Sequence, residues 1–360
     1  MAVWGILYGQ RAIRRERAFK DPLDQLAISD VDLLRHYRFP RLEILEITDE
    51  LRPYLERTTE RGHAIPAVTQ VLAALRFYAS GTFQNVIAET MGVHQCSVSR
   101  IIGDVTILLT FKEFREINMP ETDAEKLQTM LDFANLQNFP RCIGAIDGTH
   151  IPIKPPSHEE FIYVNRKRFH SLNVQIICNA RHEIIDFNAR YPGSTHDSYI
   201  WSNSYTRSLF VNGEFGESLL IGDSGYTQEP FLMTPVNNPN TAAERRYNRS
   251  HRRSRVIVEQ TFGILKSRFR CLHKSGGSLQ YNPDKSAHIV VACLILHNMC
   301  IKRRIPNPGE DEINNVYQQQ QQNAALPVAG LASLLECIYG KKKLNYKKIH
   351  NVYGKNNYLF

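Results

Sequence analysis

The hydrophobic period of this 360-residue chain changes near residue 140, and that change restricts the folds it can adopt. Before it, apolar residues recur at helical spacing: Ile44, Ile47 and Leu51, then Val68, Val71, Leu72, Leu75 and Ala79. Pro53 is expected to kink or end the first of these patterns. After it, Cys142–Ile146, Leu172–Cys178, Ile184–Ala189 and Leu219–Ile221 are short apolar or alternating runs bounded by Gly, Pro, Asn and Asp, as strands are. Two helical segments follow, Arg253–Phe269 and Lys285–Lys302. The reading is an all-helical domain over residues 1–138, then a mixed α/β domain over 141–303, with the boundary near Asn138–Pro140. From residue 304 on, Pro306, Pro308, the acids Glu310–Glu312, the tract Gln318–Gln322 and the cluster Lys341–Lys348 read as a linker and basic tail.

Composition narrows the class. A content of 42% hydrophobic and 22% charged residues is that of an ordinary globular protein. The strongest apolar run, Ile289–Leu296, falls short of the roughly 18 residues a membrane helix needs. The start lacks the cationic lead of a secretory signal and passes straight into Arg11, Arg14, Arg15 and Arg17. Seven cysteines without a close C-x-x-C pair fit a reducing compartment and give a structural zinc site little support. The net charge of +8 is modest, but its distribution is uneven. Between Arg245 and Lys274, a segment dense in arginine, Glu259 is the one acid.

The segment Gln84–Gly103, QNVIAETMGVHQCSVSRIIG, has the spacing of a helix-turn-helix. Ala88 is small where two helices cross, Gly92 suits a left-handed turn, and Val93, Val98 and Ile101 supply apolar contacts. Gln95, Ser99 and Arg100 then fall on an outward face able to enter a DNA major groove. An ordinary helical hairpin needs the same small residues, so that reading stays open.

Four acids sit at the edges of expected elements: Asp147 in GAIDGTH, Asp197 in PGSTHDS, Asp223 in LLIGDSGY, and Glu259 in RVIVEQTFGILKSRF. Each alone has a structural explanation. Asp147-Gly148 is a hairpin-turn signal, and Asp197 can cap a helix. Asp223 can close an Asx turn, and Glu259 can pair with Arg255 at i,i+4. Together they point elsewhere. Val258, Phe262, Leu265 and Phe269 mark the buried stripe of the last helix, with Glu259 beside it and Gly263 one turn on. Two Asp at strand ends and one Glu on a packed helix can converge, and like charges held close require cations. Carboxylates are hard oxygen donors suited to Mg²⁺ or Mn²⁺, the ions of two-metal phosphodiester chemistry. Nearby Arg252, Arg253, Arg255 and Lys266 are candidates to hold a polyanionic backbone.

On these residues the chain resembles the Harbinger transposase-derived nucleases of the PIF/Harbinger class of DDE transposases. The matching strings are GAIDGTHIPIKPP, YVNRKRFHSLNVQ, YPGSTHDS, LLIGDSGY, ERRYNRSHRRSRVIVEQTFGILKSRFRCL and HIVVACLILHNMC, over roughly residues 141–302. Asp223 and Glu259 lie 36 residues apart, close to the interval of such enzymes. The resemblance implies an RNase H-like core with catalytic Asp147, Asp223 and Glu259, and Asp197 as a further metal ligand. Asn179 departs from the pattern, since many relatives carry Asp after that strand. The resemblance also implies DNA as substrate, a Myb-like DNA-binding protein as partner, and the nucleus as location, and it leaves an oligomer open. A domesticated DNA-binding or scaffold protein that keeps the fold without catalysis is the alternative.

Overall fold

A computed structural model describes residues 26–56, 64–111, 116–137 and 139–307. The linker and basic tail expected beyond Ile305 lie outside these residues from position 308 onward. The chain divides into two compact units, Met1–Leu108 and Leu109–Phe360.

The described residues of the first unit form helices α1 (Asp30–Tyr37), α2 (Arg41–Leu55), α3 (Ala67–Ser80), α4 (Gln84–Met91) and α5 (Gln95–Thr110), the last ending two residues past its border. The Ser29 hydroxyl accepts from the Asp32 N–H and caps α1, and Asp30 and Asp32 complement its positive end. Pro53 falls inside α2, which ends two residues later. The buried alanines of α3, among them Ala67, Ala73 and Ala74, allow α2 to pack closely on it. Gly92, at φ 65°, ends α4 in the left-handed region, and Ile87, Ala88, Met91, Val98 and Ile101 are buried.

The second unit is built on a five-stranded mixed sheet of β1 (Cys142–Pro152), β2 (Ser171–Cys178), β3 (Ile184–Pro192), β4 (Leu219–Ile221) and β5 (Leu232–Met233). The strand order is β3-β2-β1-β4-β5. β1, β2 and β3 form an antiparallel meander, while β4 runs parallel to β1 and β5 parallel to β4. The helices are α6 (Asp123–Gln137), α7 (Asp197–Ser202), α8 (Tyr205–Val211), α9 (Ala242–Arg268) and α10 (Pro283–Lys302).

Several boundaries differ from the sequence reading. The units part at Leu108/Leu109 rather than at Asn138–Pro140, because α6, helical by its own pattern, packs on β1. β1 continues six residues past Ile146, so Asp147-Gly148 lies inside a strand and makes no hairpin turn. α9 begins at Ala242 and not at Arg253, since Thr241 and Glu244 form a reciprocal capping box ahead of the arginine-rich stretch. α10 is long and apolar enough to cross a membrane, contrary to the judgement that its apolar run is too short. It is apolar all round because 72% of that window is buried inside the fold, as in a central core helix.

Polar groups tie α10 to the sheet. The Asn298 side chain accepts from the Ile184 N–H at 2.8 Å and donates to the Ile184 carbonyl at 2.7 Å. His297 Nε2 donates to the His182 carbonyl, and His182 Nδ1 meets Thr261 Oγ1 of α9. Burial lowers the pKa of His182 to about 4 and of His297 to about 3, so both are neutral structural groups.

Candidate active site

The register of β1 against β4 assembles the site. Ala145 pairs with Ile221, the last residue of β4, so Asp147, two residues on in β1, and Asp223, in the loop two residues past β4, share one end of the sheet, where Asp223 acts electrostatically on Asp147. The Asp223 carboxylate accepts from the Gly225 N–H at 2.8 Å, an Asx turn that fixes the loop leaving β4. Asp147 accepts from the Gly148 N–H at 2.8 Å.

Side chains alternate along a strand, and directly paired residues of antiparallel strands share a face. Asp147, Thr149, Ile176 and Cys178 therefore face α9, as the contact of Thr261 Oγ1 with Cys178 Sγ confirms. Gly148, Gln175, His150 and Asn173 occupy the opposite face. α9 reaches the first set with Arg255. Its guanidinium donates to Asp147 Oδ2 at 3.3 Å and also pairs with Glu259 one turn on. One planar cation thus spans the strand carboxylate and the helix carboxylate. Asp147 is 16% exposed and Glu259 48%, so the arginine joins an interior acid to a surface one.

Asp197 comes from the other side. It is the first residue of α7 and makes no capping bond; its Oδ1 accepts from Asn173 Nδ2 at 2.8 Å. Its carboxylate lies against Gly148, where an added Cβ would overlap it more closely than real Cβ atoms approach. Gly148 is needed for this approach, and Asp197 still contributes to the field at Asp147.

Burial raises the pKa of Asp147 to about 6, reinforced by Asp223 and Asp197 and offset in part by the Gly148 N–H and Arg255. Burial also raises Tyr226 well above its ordinary value, with Asp197, Asp147 and Asp223 adding to the effect. Its hydroxyl accepts from Gln175 Nε2 at 2.9 Å, and the same amide donates to the Asp197 carbonyl. Lys266 Nζ donates to Thr149 Oγ1 at 2.6 Å, and burial together with Lys167 lowers its pKa to about 8.

The donor set is all carboxylate oxygen, the chemistry of a hard divalent ion, and Asp147, raised mainly by burial, also feels the charges of Asp223 and Asp197. As placed, however, no three His, Cys, Asp or Glu among the described residues gather closely enough to hold one. Arg255 stands between two of the four acids.

Of the residues assigned to DNA from sequence, Arg252, Arg253, Gln95 and Arg100 are exposed, with the Gln95 amide donating to Gln84 Oε1. Ser99 is half-buried. Arg255 and Lys266 are also half-buried and point into the protein, Arg255 to the acids and Lys266 to β1, where the sequence reading expects an outward DNA contact. Gly263 meets nothing within 4 Å of an added Cβ. Asn179 closes the β2–β3 turn: its Oδ1 accepts from the N–H groups of Arg181 and Glu183, and its amide donates to Glu183 Oε2. The sequence reading misses Asn173, Gln175 and Tyr226. The available signal is two polar residues, spaced by two, inside an otherwise apolar strand.

The family model for a DDE superfamily endonuclease matches residues 146–298, a span that contains all four acids. Residues 146–298, within the second unit, are therefore a domain of the DDE superfamily. The chain is 40% identical over 283 residues to the cattle (Bos taurus) protein named "Putative nuclease HARBI1", covering 78% of this chain and 81% of the relative. The human protein of the same name is 40% identical over 283 residues, with the same coverage. A more distant relative, "Protein ALP1-like" of Arabidopsis thaliana, is 24% identical over 290 residues, 76% of this chain and 70% of its own. The chain belongs to the Harbinger transposase-derived nuclease family. No solved structure matches it.

Proposed function

We propose that this protein is a divalent-metal-dependent nuclease that cleaves DNA phosphodiester bonds through Asp147, Asp223 and Glu259, on an RNase H-like domain. The observation that carries the reading is the α9 arginine that bridges Asp147 of β1 and Glu259, at the sheet end where the β1/β4 register also brings Asp223. Bound Mg²⁺ or Mn²⁺ supplies activation of the attacking oxygen and stabilisation of the leaving one. Asp147, Asp223 and Glu259 would hold the ions once drawn together, and Asp197, oriented by Asn173 across Gly148, would be the further acid of the set. Arg255 is the resident countercharge of Asp147 and Glu259, and those oxygens would be open to a metal only with its guanidinium moved aside, where it would be free to take a substrate phosphate. The α4–α5 pair acts as a DNA-reading helix-turn-helix through Gln95 and Arg100, with Ser99 at its edge. Exposed Arg252 and Arg253 add contacts to the phosphate backbone. A nuclear location and a Myb-like DNA-binding partner belong to the same reading.

The test is plasmid cleavage by purified protein with Mg²⁺ or Mn²⁺. Asp147→Ala and Glu259→Gln are expected to abolish product while DNA binding persists. Variants that cut as well as the parent would overturn the assignment. One observation favours a second reading, a DNA-binding protein without chemistry: Arg255 already neutralises two of the acids without an ion. That reading predicts steeply salt-dependent binding and no metal-dependent product.

A further inference from the structure

We infer that a cleft along the N-terminal half of α9 holds an unstacked DNA base, with arginines on its rim taking the flanking phosphates. The inference rests on DNA being the partner. The cleft has a volume of about 610 Å³, in the range of sites for nucleotide-sized ligands. Phe139, Met233 and the ring of Tyr247 line it, together with Arg246, Arg249 and Arg253.

The floor is aromatic and apolar, and its tyrosine is held in place. Tyr247 Oη donates to the Thr234 carbonyl at 2.8 Å, and its ring lies 6.1 Å from Phe139 and 5.8 Å from the His251 imidazole. The ring can therefore receive a base without first being ordered. The rim is cationic. Arg246, Arg249 and Arg253 recur at i, i+3 and i+7, which places them along one helix face. They are exposed and have no ion pair or hydrogen bond among the described residues. Neighbouring Arg245 differs, binding the Asn240 carbonyl, as does Arg255, which takes the acids. Among the described residues, no acid lines the cleft.

A ligand complementary to this surface is planar and apolar at its centre and anionic at its edges, which describes a nucleotide within a strand. An acidic peptide satisfies the rim and leaves the floor unused. At about 1.5 Å of rise per residue, the rim lies roughly 10–20 Å along α9 from Glu259. At about 3.4 Å per nucleotide, the base it takes lies some three to six nucleotides from the cleaved bond.

The experiment compares the full chain's affinity, in EDTA, for a blunt duplex and for the same duplex opened into a short unpaired fork. Ala243→Trp fills the cleft from an exposed wall position without removing charge. The parent is expected to bind the fork about fivefold or more tightly than the blunt duplex. Ala243→Trp should abolish that preference while leaving blunt-duplex affinity unchanged. Arg246→Ala/Arg249→Ala, at exposed positions, should lower the salt slope on the fork by about 2. Equal affinity for fork and blunt duplex, or a preference that survives Ala243→Trp, would overturn the base site while DNA binding itself stood. Absence of salt-dependent binding to either duplex would instead overturn the reading of DNA as partner. Selective loss of an acidic peptide's binding in Ala243→Trp, with the fork unaffected, would reassign the cleft to a protein.

Discussion

Replacing Asp147 with asparagine removes a carboxylate that the folded protein holds ionised at a cost. Its pKa rises from 3.8 in the free side chain to about 6 in the fold, chiefly through burial. Below pH 3.8 the group is protonated in both folded and unfolded chains, and there is no penalty. Between pH 3.8 and 6 the unfolded chain gives up its proton first, so stability falls as pH rises. Above pH 6 the penalty is complete. At about 1.4 kcal/mol per pKa unit it amounts to roughly 3 kcal/mol, little discounted for solvent because only 16% of the side chain is exposed. The oxygen of the substituted amide can still accept from the Gly148 N–H, and Arg255 keeps Glu259, so most of the gain should survive. We expect Asp147→Asn to stabilise the metal-free protein by about 2–3 kcal/mol at pH 8, a rise in Tm of some 5–10 °C. Melting curves from pH 4 to 8 in EDTA measure it, with the gain vanishing at pH 4. No stabilisation at pH 8, or an equal gain at pH 4, would refute the electrostatic argument.

Other expectations follow from the same contacts. Gly148→Ala forces the Asp197 carboxylate away from the strand, and plasmid cleavage should fall by on the order of a hundredfold, at protein levels and melting temperature near the parent's. Arg255→Gln frees oxygens of Asp147 and Glu259 from a competing cation, so Mn²⁺ affinity without DNA should rise by about tenfold, read by calorimetry or by loss of the free-ion electron paramagnetic resonance signal. Lys266 is charged at a cost below about pH 8, a penalty that shrinks as pH climbs towards 10.5. Lys266→Met should therefore be more stable than the parent at pH 7 and lose that advantage by pH 10 in denaturant titrations, less whatever the lost Thr149 hydrogen bond contributes.

The parts of this fold legible in the sequence are those with a local cause. The stripe through Val71, Leu72 and Leu75, the left-handed turn at Gly92 and the strand Leu219–Ile221 are each set by residues within a few positions. The interval between Asp223 and Glu259 is equally visible. What stays hidden is non-local. Arg255 shows its Glu259 partner one turn away, but its second partner, Asp147, lies 108 residues earlier, so an arginine that bridges acids reads as one facing DNA. β1 runs on through Thr149 and His150 because it stays paired with β2 as far as Pro152 opposite Ser171, and the side-chain partners there, Lys266 and Ser171, are likewise distant in sequence. Gly148 reads as a turn residue because its real constraint, the Asp197 carboxylate, arrives from 49 positions on. α6 falls inside the helical domain read over residues 1–138, since nothing within it reveals that it packs on β1.

The most direct measurement is anomalous diffraction from crystals soaked in Mn²⁺. The account predicts ion density contacting Asp147, Asp223 and Glu259, with the Arg255 guanidinium swung off both carboxylates. Arg255 still bridging Asp147 and Glu259, with manganese bound elsewhere or not at all, would contradict it.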